Sequence, residues 1–187
     1  MVEPTGEATV REARARYFAE NGFDEGGYRS RFVKLQLGPL PVWILNTKSR
    51  VRSVRLHDVH HVLTGYGTDV LGEGEIGAFE LGAGCADHFA AWYLNLNAVA
   101  IALPLGPGAL RRAFARGRRS RCLYDREWDE ALLDETVAGL RRRLPVVAPE
   151  LEATPAERLA FAAAATAGVA VFLSHFLLLA GLVRLLA

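Results

Sequence analysis

From Leu159 to Val183 the chain runs for 25 residues without Asp, Glu, Lys or Arg, between Arg158 and Arg184. Coiled as a helix at about 1.5 Å per residue, this stretch reaches about 37 Å, enough to cross a hydrocarbon core of about 30 Å with some tilt. Such a segment cannot stand in water on all sides. It is either inserted in a membrane or buried against protein, and its two halves differ. Ala160 to Ala170 is mostly alanine, which gains little in lipid, whereas Phe172, Leu173, Phe176, Leu177, Leu178 and Leu179 gain much more. The expectation is therefore a hydrophobic C-terminal helix over residues 156–187, membrane-inserted, behind a helical domain over residues 1–150. His175 and Ser174 are polar positions within it, of the kind that bonds to a neighbouring helix.

The remainder reads as mainly α, a compact helical domain with a small β-hairpin near residues 31–45. Glu7 to Asn21 has an amphipathic pattern with Gly22 as a stop, and Arg31 to Leu37 and Val42 to Leu45 flank a turn at Gly38-Pro39-Leu40-Pro41. Helical character resumes from Arg50 to Leu63. A long apolar helix is expected from Gly72 to Leu103, divisible at Gly82 or Gly84, with the charge-free stretch Phe89 to Leu110 buried. Six arginines follow between Arg111 and Arg121, which suits a solvated face or a juxtamembrane anchor. Asp125 to Arg143 has the pattern of one continuous helix ending in three arginines.

With 22 basic and 21 acidic residues the net charge is +1, so no nucleic-acid partner is indicated. Two cysteines exclude a disulfide framework and a four-cysteine zinc site, leaving histidine and carboxylate as metal ligands. Met1 to Val10 carries Glu3 and Glu7 and no apolar run, so a cytosolic start is expected rather than a secretory signal.

Three of the five histidines lie within His57-Asp58-Val59-His60-His61, and Glu73 follows after eleven residues. Positions i and i+4 share a helix face, so His57 and His61 can turn two imidazoles to one ion, with Asp58 beside them and Glu73 folding back from the next helix. Such N/O donors suit Zn²⁺, Fe²⁺ or Mn²⁺ better than Ca²⁺. The bare motif also fits histidines on a surface helix. Its spacing is similar to that of zinc proteases, but Asp58 stands where their general base would be a glutamate, so no protease is inferred. A His-Asp phosphohydrolase would need further ligands that are not evident, and no Ser/His/Asp triad or cysteine nucleophile motif is present.

The motif His57-Asp58-x-x-His61 with Glu73, together with Leu63, Gly65, Gly72, Phe79-Glu80, Gly117-Arg118-Arg119, Tyr124, Glu127, Trp128 and Leu140, resembles that of the coenzyme Q (ubiquinone) biosynthesis protein four family, over roughly residues 52–145. The resemblance implies a zinc ion on His57, Asp58, His61 and Glu73. It implies a metal-dependent decarboxylase (lyase) of ubiquinone biosynthesis, acting on a polyprenylated hydroxybenzoate, a quinone precursor, whose C1 carboxyl is replaced by a hydroxyl. The alternative it carries is a non-catalytic scaffold that binds prenyl lipid and organises the other quinone-biosynthesis enzymes. Either would work at the cytoplasmic face of a membrane, a bacterial inner membrane in this reading, anchored by the C-terminal helix. His60, Asp69 and Glu80 are candidates to orient the ligands, and Phe89 to Leu103, with Trp92, Tyr93 and Leu94, is a candidate channel for the prenyl chain.

Overall fold

The computed structural model describes residues 8–23, 27–37, 40–148 and 152–186. Helix α1, Val10–Asn21, begins at a capping box: Thr9 Oγ1 accepts from the Glu12 N–H, and the Glu12 carboxylate accepts from the Thr9 N–H. Glu7, where the sequence placed the helix start, lies outside the described residues. Gly22 ends the helix in the left-handed region, as its position predicts.

Strands β1, Phe32–Leu37, and β2, Leu40–Leu45, pair antiparallel with Phe32 opposite Leu45 and Val33 opposite Ile44. Leu40 and Pro41, expected in the turn, belong to β2 and pair with Leu37 and Gln36, while positions 38 and 39 of the expected turn fall outside the described residues. Helices α2, Lys48–Thr64, and α3, Val70–Ala83, follow, and Gly84 then turns the chain into α4, Phe89–Ala102. The long apolar helix expected from Gly72 to Leu103 is thus divided, at the second of its two candidate glycines. Next come α5, Pro107–Arg118, α6, Val137–Arg143, and α7, Pro155–Leu186.

Helix α3 is the centre of the packing, with α4 and α5 against it and α7 lying along α4. Its sequence explains this, because VLGEGEIGAFELGA removes side chains where neighbours approach. A Cβ placed on Gly82 would lie against the carbonyl oxygen of Phe114 in α5, and one on Gly117 against the carbonyl oxygen of Phe79, far inside van der Waals contact. Helices α3 and α5 therefore meet backbone to backbone. Phe79, Leu110, Leu123, Leu133 and Leu140 fill the core around the crossing.

Three expectations are corrected. The continuous helix over Asp125 to Arg143 is a turn, a short 3₁₀ segment over Glu130–Asp134, and then α6. Thr9 and Thr136 form an isolated antiparallel bridge, in which Val10 N–H donates to Glu135 O and Val137 N–H to Ala8 O. That tertiary pairing holds residues 135 and 136 extended, and Thr136 caps a new helix by accepting from Gly139 N–H. The stretch from Phe89 is not wholly buried: Phe89 is 76% exposed, and Trp92 and Tyr93 also face outward. The arginine run is not a uniformly solvated face, since Arg116 is buried, donating to Val147 O at 2.7 Å and Thr64 O at 3.0 Å. With Arg141, which donates to Leu63 O at 3.1 Å, it satisfies the carbonyls left open at the end of α2.

Gly82→Ala is expected to lower unfolding free energy by roughly 1–3 kcal/mol, because backbone cannot yield as a side chain can. Gly108→Ala, whose new Cβ would meet only Arg112 Nη1 at 3.6 Å, is expected to be neutral or mildly stabilising. Urea denaturation of both variants checks the pair.

Candidate metal centre

Helix α2 places His57 and His61 one turn apart with their ring centroids 4.7 Å from each other. Gly65 stops the helix with a positive φ, the chain turns, and the Asp69 carboxylate caps α3 by accepting from Gly72 N–H at 2.7 Å. Glu73, in the first turn of α3, thereby returns to the Nε2 ends of both imidazoles. His57 Nε2 and His61 Nε2 are 3.2 Å apart, and each is 3.5 Å from one Glu73 oxygen. These three residues form the only group among the described residues that is placed to share a metal ion.

The opposite ring nitrogens decide what the triangle can hold. His57 Nδ1 faces Glu80 Oε1 at 3.0 Å, and His61 Nδ1 faces the Tyr66 carbonyl at 3.1 Å. Both partners only accept, so each Nδ1 carries a proton; in the neutral ring Nε2 then presents a lone pair, and in the protonated ring it carries a second proton that Glu73 can accept. Two lone pairs at 3.2 Å repel unless a cation or a proton lies between them. A tetrahedral ion bound at about 2.0–2.1 Å requires ligand separations of about 3.3–3.4 Å. The two Nε2 atoms, 3.2 Å apart, stand close to that separation, and each faces its own Glu73 oxygen at 3.5 Å.

Glu80 is the anchor behind it. Its carboxylate is wholly buried and accepts from four donors: His57 Nδ1 and His60 Nδ1 on Oε1, and Asn95 Nδ2 and the Tyr124 hydroxyl on Oε2, at 3.0, 2.6, 2.6 and 2.8 Å. Burial alone would push it toward the neutral acid, but the attraction of His57 and the hydrogen bonds of both histidines hold it well below the usual carboxylate range. His57, although buried, is drawn above its ordinary value by Glu80 and Glu73. Burial likewise opposes ionisation of Glu73, yet hydrogen bonds from His57 and His61 hold it at about 2. The site is thus built from two ionised carboxylates that call for positive charge between the imidazoles.

The other sequence candidates occupy distinct places. Asp58 does not converge with the three: its Oδ2 accepts from the Tyr28 hydroxyl, and burial raises its carboxyl above the usual range. His60 touches the centre only through Glu80, its Nε2 accepting from Leu123 N–H at 2.8 Å. Asp69 acts as a helix cap. Trp92 and Tyr93 turn away from a channel role and face the surface. Sequence reasoning missed Asn95 and Tyr28. An asparagine in an otherwise apolar helix, shared only with Asn97, was the available signal for Asn95, while Tyr28 lies in a loop that offered none.

No family model, curated protein or solved structure matches this chain.

Glu80→Ala, which leaves four buried donors without an acceptor, is expected to cost about 3–5 kcal/mol in urea unfolding, and Glu80→Gln less. Unchanged stability in both variants would show that the network does not hold α2, α3 and α4 together.

Proposed function

We propose that the protein is a metal-dependent decarboxylase of ubiquinone biosynthesis, replacing the C1 carboxyl of a polyprenylated hydroxybenzoate by a hydroxyl. The observation that carries the metal part of this reading is the pair of Nε2 atoms turned toward each other with Glu73 across from them. The substrate part rests on the resemblance of His57-Asp58-x-x-His61 and Glu73 to the ubiquinone family motif.

A catalytic role is favoured over a purely structural ion by the ligand count. Structural zinc is closed by four side chains, whereas catalytic zinc has three and an open position. Three side chains converge here, with Asp58 held by Tyr28 instead, and Glu73 is 39% exposed, so the open side faces outward. His57, His61 and Glu73 would hold a zinc ion, which when bound supplies Lewis-acid polarisation of a carboxylate or phenolate oxygen. Glu80 fixes the His57 tautomer, and Tyr66 O fixes that of His61. In the overall change the bond from C1 to the carboxyl carbon breaks and CO₂ leaves, water supplies the hydroxyl that takes its place, and dioxygen accepts the two electrons and two protons released, leaving as hydrogen peroxide.

The apolar helix fits an insoluble substrate. Helix α7 is long and apolar enough to cross a membrane. Its first half packs on α4 and α5 through Phe161, Ala165 and Gly168, and His175 bonds to Tyr93. Every residue from Phe176 to Leu186 is exposed, and this end projects by about 16 Å at the helical rise. We read it as the membrane anchor, placing the metal centre on the cytoplasmic side.

His61→Ala and Glu73→Gln are expected to abolish stoichiometric zinc in the purified protein and to make cells accumulate a carboxylated prenyl intermediate. Zinc lost with quinone levels unchanged at normal protein abundance would sink the catalytic reading. Accumulation of no particular intermediate alongside quinone loss would favour the scaffold. A chain ended after His175 is expected to leave the membrane fraction with its melting temperature unchanged; a truncated chain that still pellets with membranes would refute the anchor.

A further inference from the structure

A cavity of about 490 Å³ lies at the start of α2, and five of its ten lining residues are cationic: Arg29, Arg31, Lys48, Arg52 and Arg55. Among the described residues, no carboxylate lines it. Like charges gathered this way repel one another, and the first turn of α2 adds the positive end of a helix. The arrangement is nonetheless fixed by hydrogen bonds. Asn46 Nδ2 donates to Gly27 O and Ser30 O, both at 2.8 Å, its N–H donates to Arg31 O at 3.0 Å, and its Oδ1 accepts from Arg50 Nη1 at 2.8 Å. One side chain thus clamps the loop bearing Arg29 and Arg31 across from the helix bearing Lys48, Arg52 and Arg55. Arg55 is also held in place, its guanidinium 5.3 Å from the ring centre of Tyr28 and 5.5 Å from that of Trp128.

Two acids that pair with Arg52 stand at the rim of this cluster. Asp87 and Glu127 pair with Arg52 at 3.1 and 2.6 Å, but both are largely exposed, and such surface pairs contribute little and exchange readily. We infer that the cavity is a binding site for a phosphate-bearing anion, separate from the metal centre. A phosphate monoester carries a charge of about −1.5 to −2 and three acceptor oxygens, which planar guanidiniums engage in pairs. A single carboxylate would neutralise less of this charge. The volume lies within the range of small-molecule sites, about 300–1,000 Å³, and leaves room for an organic group against Val51, Tyr28 and Trp128. Tyr28 joins the two sites: its ring lines the cavity and its hydroxyl bonds to Asp58, next to His57.

The test uses the full chain in detergent, with a chelator present so that the metal centre contributes nothing, and inorganic pyrophosphate as probe in calorimetric titration at fixed ionic strength. Saturable binding is expected, weakened at least about tenfold in Arg31→Gln/Lys48→Gln, two exposed positions, with the melting temperature unchanged. Arg55→Gln provides a second, independent reduction. Vesicle flotation separates the sources of phosphate. A preference for phosphatidylcholine vesicles doped with phosphatidic acid that disappears in the double variant assigns the site to a lipid headgroup; no preference, with pyrophosphate binding retained, assigns it to a soluble phosphate compound. Absence of saturable binding, or binding that neither variant alters, overturns the proposal, and leaves the zinc analysis of His61→Ala to be judged by itself.

Discussion

One ionised carboxylate sealed in the core sets the terms for this protein. Unpaired, a buried charge of that kind is prohibitive, so Glu80 stays ionised only because four donors converge on it from three other parts of the chain. Two come from α2, one from α4, and one from Tyr124 in the loop after α5. The same bonds that satisfy the charge orient His57, and through His60 they reach the backbone of Leu123. Folding and ligand geometry are therefore consequences of one network, and a change in the network moves both.

The network works because α3 sits unusually close to its neighbours. Glycines at 74, 82 and 117 let backbones approach where any side chain would hold them apart, and Gly168 does the same for α7, whose backbone course beside Leu96 leaves no room for a Cβ. The first half of α7 is thereby committed to the protein. The second half is left without cover, and its apolar surface has to be met by lipid or by another apolar body. The alanine-rich half and the leucine-rich half of that helix, alike in lacking charge, thus do different things.

Three features lie within one small domain: a two-imidazole, one-carboxylate centre open on the Glu73 side, a cationic cavity sharing Tyr28 with the neighbourhood of that centre, and an apolar helix end. On the reading proposed above, an amphiphilic substrate would meet the metal centre with its polar head and the apolar helix end with its tail.

Much of this was legible in residue order alone. The spacing of His57 and His61, the intervening turn and the returning Glu73 follow from helix periodicity and one stop-and-cap sequence, all local effects. The helical character, the hairpin and the apolar end are likewise written in composition and period. Asp58 could not be placed from spacing, because its neighbour is Tyr28, thirty positions away in a loop. Nor could the break at Glu135 and Thr136 be read, since a bridge to Thr9 overrides the helical pattern there. The sequence by itself determined which residues stand on one helix face, because that depends on 3.6 residues per turn. Which of them share a site, and which half of the apolar helix is covered, only the tertiary structure decided, because buried charge and backbone contact are settled between segments that meet only after folding.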